Sequence, residues 1–204
     1  MKIFDKEFPD LPGMGKSKWQ ELTISAAVTR EQLQDFEALG VDGMGMIESV
    51  LRNESYQSLG KLISKAVFTP RPQEIKWQKT AYWLEGLLEN KKGDNKFILT
   101  NLHVGAAFME ASSDFVSKPF DSNSAMGNIY NIGKIFDTPI YVDPNMLYGN
   151  TELAIVSGNV LQFKEIENIR IVTEGHAAPK VVATLKYKLQ RPNSDVYKII
   201  NLDF

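Results

Sequence analysis

The chain has 204 residues, 43% of them hydrophobic, with 23 basic and 25 acidic side chains and no cysteine. That is one large domain or two small lobes with ample material for a core, and it excludes structural disulfides, thiolate catalysis and cysteine-ligated zinc or iron–sulfur centres. A net charge of −2 supplies neither a basic field for tight nucleic-acid binding nor a polybasic membrane patch. No segment reaches the roughly eighteen apolar residues of a membrane span. Acids within Met1–Glu7 stand where a signal peptide needs its apolar core, so the expectation is a soluble protein, not exported by that route and without a membrane partner.

Residues 1–18 hold Pro9, Pro12, Gly13 and Gly15 among charges and aromatics, which suits an extended N-terminal arm. Gly13-Met14-Gly15-Lys16-Ser17 resembles the end of a phosphate-binding loop, but Asp10 occupies the position of the loop's first glycine and no apolar strand precedes it. Trp19 to Val28 alternates as a strand with one buried face. Thr29 with Gln32 has capping-box spacing and opens a short helix that Gly40 closes, with Leu33, Phe36, Ala38 and Leu39 as its inner side.

Gly43–Val67 is the longest single element that the chain contains. Ile47, Leu51, Leu59, Leu62, Ile63 and Ala66 recur at helical steps, Arg52, Glu54, Gln57, Lys61 and Lys65 take the other side, Asp42 stands at the N-cap, and Pro70 and Pro72 stop the run. At about 1.5 Å per residue this spine is on the order of 36 Å long. A second helix is expected over Gln73–Asn90, where Trp77, Tyr82 and Trp83 form either an aromatic binding platform or, as is commoner, core.

Phe97–Thr100 reads as a strand, and Asn101 as the cap of a helix running to about Ala111. Ser112–Ser124 is polar and aperiodic, so an exposed loop is expected there. Strands follow at Ile129–Ile132, Gly133–Thr138, Pro139–Pro144, Glu152–Ser157, Val160–Phe163, Ile169–Thr173, Val181–Leu189 and Tyr197–Leu202. A helical first half and a β-rich second half make the fold class α+β.

The chemistry-bearing residues do not converge. His103 and His176 are too far apart in sequence to pair by local spacing, and no nucleophile elbow, zinc-protease pair or calcium loop occurs. Asp137 and Asp143 bracket an extended segment about 20 Å long, beyond the reach of a shared centre, and beside Pro139 and Pro144 they read as turn formers. No catalytic, cofactor-binding or metal-ligating residue is therefore assigned. A soluble chain with a large core and no constellation points toward assembly or binding. The rivals are a small hydrolase or transferase whose acids meet only in three dimensions, and a monomeric ligand-binding module built on residues 73–90.

Leu22-Thr23-Ile24-Ser25, the run Val28–Asp42 and the long helix with Asn53-Glu54 resemble the start of the shell domain in major capsid proteins of T-even-like tailed bacteriophages. Asn95–Asn101 before a helix, Gly133-Lys134-Ile135, Pro139-Ile140-Tyr141-Val142-Asp143-Pro144 and Leu153–Gly158 are similar to later blocks of that family, in the same order over residues 20–160. The Tyr-Val-Asp-Pro block is the most specific. The resemblance implies a Hong Kong 97-like capsid fold: an arm over 1–18, a peripheral-type domain over 19–92 and 160–204 carrying the spine, and an axial-type domain over 93–159. It implies a virion subunit that assembles in the host cytoplasm with copies of itself in capsomers, with other capsid or scaffold proteins as further partners and weak, non-specific contact with packaged DNA. Family members carry a long N-terminal arm and an extended loop ahead of the first strand, and these lapping elements are expected to be lacking here or supplied by another chain. Phe4, Phe8, Leu11 and Trp19 are the candidate subunit contacts, since apolar residues on an arm suit burial between copies. Lys91, Lys92 and Lys96 either face nucleic acid or form a solvated face.

Overall fold

The computed structural model describes residues 19–27, 29–40, 42–78, 82–111, 113–118, 129–146, 150–158, 161–163, 168–172, 180–189 and 192–202. Its first element is strand β1 (Gln20–Ala27), followed by helix α1 (Arg30–Ala38) and the spine helix α2 (Gly43–Val67). Thr29 and Gln32 form the expected capping box on α1, each side chain bonding the other's backbone N–H. Asp42 caps α2 through Oδ1, which accepts from the Gly45 N–H at 2.9 Å. At its other end Phe68 N–H still reaches the Ser64 carbonyl, Thr69 Oγ1 donates to the Lys65 carbonyl at 2.8 Å, and Pro70 offers no donor for another turn. Leu51, Ser55, Leu59, Ile63 and Val67, spaced by four, are the buried line of α2.

That line rests on a four-stranded sheet centred on β10 (Lys180–Leu189). β1 runs antiparallel along it from Gln20 opposite Tyr187 to Ala27 opposite Lys180. β8 (Leu161–Phe163) and β9 (Asn168–Val172) also pair with it, antiparallel. Val181, Ala183, Leu185 and Tyr187 alternate into the core beneath α2.

The second sheet has seven strands. Their order is β2 (Gln73–Lys76), β11 (Asn193–Ile200), β7 (Glu152–Ser157), β3 (Lys96–Thr100), β6 (Thr138–Val142), β5 (Tyr130–Ile135) and β4 (Phe115–Ser117). β2 with β11 and β3 with β6 are parallel; the other neighbours are antiparallel. Two faces of this sheet are covered. Phe97, Leu99, Ala154, Val156 and Val196 face the core that contains α2, whereas Ile98, Leu153, Ile155, Tyr197 and Ile199 face α3 (Tyr82–Asn90) and α4 (Leu102–Ala111). Adjacent residues of one strand thus serve different cores, which is why β3 and β7 read as continuous apolar runs.

Several boundaries differ from expectation. Gln73–Asn90 is not one helix: Gln73–Lys76 forms β2, with Ile75 opposite Ile199, and among the described residues of this stretch the helix is Tyr82–Asn90. The Trp77 N–H continues the pairing by donating to the Ile200 carbonyl at 3.0 Å, so backbone donors assigned to a helix are used by a sheet edge. Residues 129–135 are not divided at Gly133; the turn lies at Phe136-Asp137, both with positive φ. The stretch expected as a loop contains β4, whose pairing with β5 puts Val116 opposite Lys134, while residues 119–128 lie outside the described residues. The last strand starts at Asn193, earlier than Tyr197.

Gly133 makes the β4–β5 approach possible. It follows a bulge at Asn131, has a φ of 153°, and a Cβ there would collide with the Val116 carbonyl oxygen. The fold is α+β, with a long spine helix and a strand-rich C-terminal half.

Candidate functional site

Of the candidate contact residues, Phe4, Phe8 and Leu11 lie outside the described residues, and Trp19 stands exposed at the entry to β1. The described surface adds apolar residues that sequence reasoning missed. Leu39, expected on the inner side of α1, is exposed, and so are Met46 and Val50, one helical turn apart on α2. All three sit at the elbow between α1 and α2. The elbow is held by Gly43, where a Cβ would lie 2.5 Å from Cδ2 of the Phe36 ring. The available signal was that Met46 and Val50 widen the apolar stripe of α2 beyond what the line through Leu51 and Leu59 needs.

At the opposite end of α2 lies an open groove of about 630 Å³ between its last turns and the facing ends of β10 and β11, with Leu62, Lys65, Ala66, Pro70, Leu189 and Pro192 among its lining residues. On the far side of the large sheet, Leu102 and Met109 on α4 and Val116 on β4 are exposed as well.

The three lysines separate. Lys91 is buried and committed to the fold: its Nζ lies 2.9 Å from Asp195 Oδ2 and donates to Asn193 Oδ1 at 3.0 Å, tying the end of α3 to β11. Lys96 Nζ donates to the Leu88 carbonyl at 2.6 Å, satisfying a C-terminal carbonyl of α3. Lys92 alone of the three is exposed. They are therefore neither one nucleic-acid-facing group nor one solvated face: Lys91 and Lys96 serve the end of a helix.

Asp137 and Asp143 are both turn residues, but in different settings. Asp137 is exposed at the β5–β6 turn, where Lys134 Nζ donates to it at 2.5 Å, and that hydrogen bond, with the attraction of the ammonium, holds its carboxyl below the usual carboxylate range. Asp143 is buried at the end of β6. Its carboxylate accepts from the Ser64 hydroxyl of α2, from the Asn145 N–H at 2.8 Å and from Asn145 Nδ2 at 3.0 Å, and its own N–H donates to the Thr100 carbonyl. The spine helix is thereby fastened to the ends of β3 and β6. Asn101 caps α4 as expected, its Oδ1 accepting from Val104 N–H at 2.9 Å, and its amide donates to the Asn150 carbonyl. These Asx-turn and cap bonds direct both side chains at the fold.

The aromatic residues of 73–90 behave mainly as core. Trp77 and Trp83 lie edge to face at 5.9 Å, and Phe108 of α4 completes the group at 5.3 Å from Trp77 and 6.3 Å from Trp83. Tyr82 is exposed beside them. Tyr197 belongs to the same core, where burial, and then the nearby Asp195 carboxylate, push its hydroxyl above the ordinary tyrosine value. His103 is half-buried in the first turn of α4, and His176 lies outside the described residues. Among the described residues no group of three His, Asp or Glu side chains is placed to hold a metal ion, and no helix is long and apolar enough to cross a membrane.

No protein-family model matches the chain, and no curated protein matches it. Solved structures do. The chain is similar to the holo-SrpI encapsulin complex from Synechococcus elongatus PCC 7942, with a TM-score of 0.50 and 13% identity over 90% of this chain and 71% of that one. It is also similar to the satellite phage P4 procapsid that includes the size determination (Sid) protein, with a TM-score of 0.52 and 6% identity over 98% of this chain and 77% of that one. Phage and encapsulin shell proteins thus share an architecture with this chain across almost its whole length, and its fold is the Hong Kong 97-like capsid fold.

Proposed function

We propose that the chain is a structural shell subunit, a major capsid protein of the kind found in T-even-like tailed phages, which self-assembles into an icosahedral head enclosing DNA. The observation that carries this reading is the capsid fold extending over 90% and 98% of the chain in two shell-protein likenesses. Exposed apolar residues at the α1–α2 elbow, on α4 and on β4 support it, because permanent contacts between copies draw on such surfaces. In this reading residues 19–92 and 160–204 are the peripheral-type domain and residues 93–159 the axial-type domain. Residues 1–18 form an arm whose Phe4, Phe8 and Leu11, with Trp19, contact neighbouring copies. The partners are copies of the same chain, with other capsid or scaffold proteins, and DNA is met through weak, non-specific contacts. The subunit works by assembly and not by catalysis, in the virion after assembly in the host cytoplasm.

The test is the solution mass of the purified chain across a concentration series, with electron micrographs of the same samples. Rings of five or six, sheets or closed particles are expected. A strict monomer at every concentration overturns the reading.

A further inference from the structure

The charge of the chain is nearly balanced overall but divided along the spine. Around α1 and the first turns of α2, residues 29–50 carry Glu31, Asp35, Glu37, Asp42 and Glu48 against the one base Arg30. From the last turns of α2 through β2, residues 61–78 carry Lys61, Lys65, Arg71 and Lys76 against the one acid Glu74. Among the described side chains none of these is in an ion pair. Each end also carries apolar surface of opposite shape. The acidic end projects Leu39, Met46 and Val50, which are 76%, 51% and 57% exposed. The basic end holds the groove of about 630 Å³ whose apolar lining includes Leu62, Ala66, Pro70, Leu189 and Pro192, with Lys65 at its side.

We propose that these two ends bind each other between copies: the acidic α1–α2 elbow of one subunit docks into the groove at the basic C-terminal end of α2 in the next. The inference rests on the shell reading and names a contact within it. The occupant of the groove is a second copy because the complementary surface, apolar at its centre and opposite in charge around it, lies on the same chain. The two surfaces are far apart on one molecule, at opposite ends of a 25-residue helix, so neither fills the other intramolecularly. The contact is heterologous, head to tail, and each subunit keeps one unused surface of each kind for its next neighbour. That propagates into rings when the rotation closes, which a two-fold contact cannot do. The charges set direction and register, while the apolar centre supplies most of the adhesion. Gly43 matters because the close packing of Phe36 on it fixes how the elbow projects.

The test is a charge exchange at exposed positions, read by mass photometry and sedimentation over a concentration series, with circular dichroism and a thermal melt to establish folding. Asp35→Lys with Glu37→Lys reverses the elbow, and Lys65→Glu, in the groove lining, with Arg71→Glu, next to its Pro70, reverses the basic end. Each pair is expected to raise the concentration needed for assembly by roughly tenfold or more, since like charges now face one another. The quadruple variant, in which the charges are opposite again, is expected to recover assembly to within about threefold of the wild type. Mixing the two assembly-deficient pairs is expected to restore growth with the two variants alternating, because the native elbow of one meets the native groove of the other and the reversed elbow meets the reversed groove. A further variant, Met46→Glu, places charge at the apolar centre at an exposed site and should weaken assembly without lowering the melting temperature of the dilute chain. If the wild type assembles and the charge-reversed pairs assemble equally well, this contact is overturned while the shell reading stands. The contact is likewise overturned if assembly is lost only when residues 1–18 are removed, which assigns adhesion to the arm. A wild type that stays monomeric overturns both.

Discussion

Lys91 and Asp195 form an ion pair with unequal ends, and the inequality sets what each substitution does. The lysine side chain is 3% exposed and the aspartate 45%. Asp195→Ala leaves a buried ammonium with only the Asn193 side-chain oxygen as acceptor, whereas Lys91→Met leaves a carboxylate that water already reaches. A buried charge without its partner is costly, and a half-exposed one rehydrates. Asp195→Ala should therefore cost about 2–3 kcal/mol in urea denaturation and Lys91→Met about 1 kcal/mol or less; equal losses would mean that water reaches the lysine too. At Tyr197 the expected effect is one of pH. Its hydroxyl is raised above the ordinary value chiefly by burial, so the folded state holds its proton longer than the unfolded chain. This contribution is complete below about pH 10, where an unfolded tyrosine titrates, and is lost as pH rises through the folded value. Tyr197→Phe keeps the ring and removes the titrating group. Its alkaline unfolding limb should move upward in pH while stability at neutral pH changes little.

Among the elements, the spine is where sequence and structure agree to the residue, and the reason is local. The cap at Asp42, the four-residue spacing of the buried line and Pro70 all lie within or beside the element they define. Leu59 and Ile63 have no exposure at all, so Leu59→Ala should cost about 2–5 kcal/mol with the cavity it leaves between α2 and the small sheet. β2 was illegible for the opposite reason: Ile75 has spacing compatible with the helix beyond it, and what makes Gln73–Lys76 a strand is β11, more than a hundred residues later in the chain. β4 was hidden similarly in a polar stretch, because its partner β5 and the glycine that admits it lie beyond that stretch. Gly133→Ala tests this. The added methyl meets the Val116 carbonyl oxygen, so β4 should detach, visible as faster amide exchange at residues 115–117 while β3 and β7 stay protected. The contact surfaces were the least legible. A periodic pattern shows which side of α2 can be buried, yet Leu39 and Met46 are as apolar as core residues, and only packing tells which of them the fold leaves uncovered.

The whole molecule keeps its cores and its apolar surfaces apart, and the two should respond differently to substitution. Ile140 and Val142 are wholly enclosed between the large sheet and its neighbours, so a charge at either position should abolish folding at any concentration. Phe4 and Phe8 belong to the segment proposed to make contacts between copies, and charges there should leave the fold of the dilute chain alone. The two classes separate in a melting experiment. Anything that binds the folded state raises its melting temperature in proportion to the logarithm of its concentration over the dissociation constant. For a self-assembling chain that ligand is the chain itself, so the wild type should melt several degrees higher when concentrated roughly a hundredfold. A Phe4→Asp, Phe8→Asp double variant should share the melting temperature of dilute wild type and lose most of that increase. A variant that keeps the full concentration dependence removes the arm from the contact and leaves the elbow and groove to carry it.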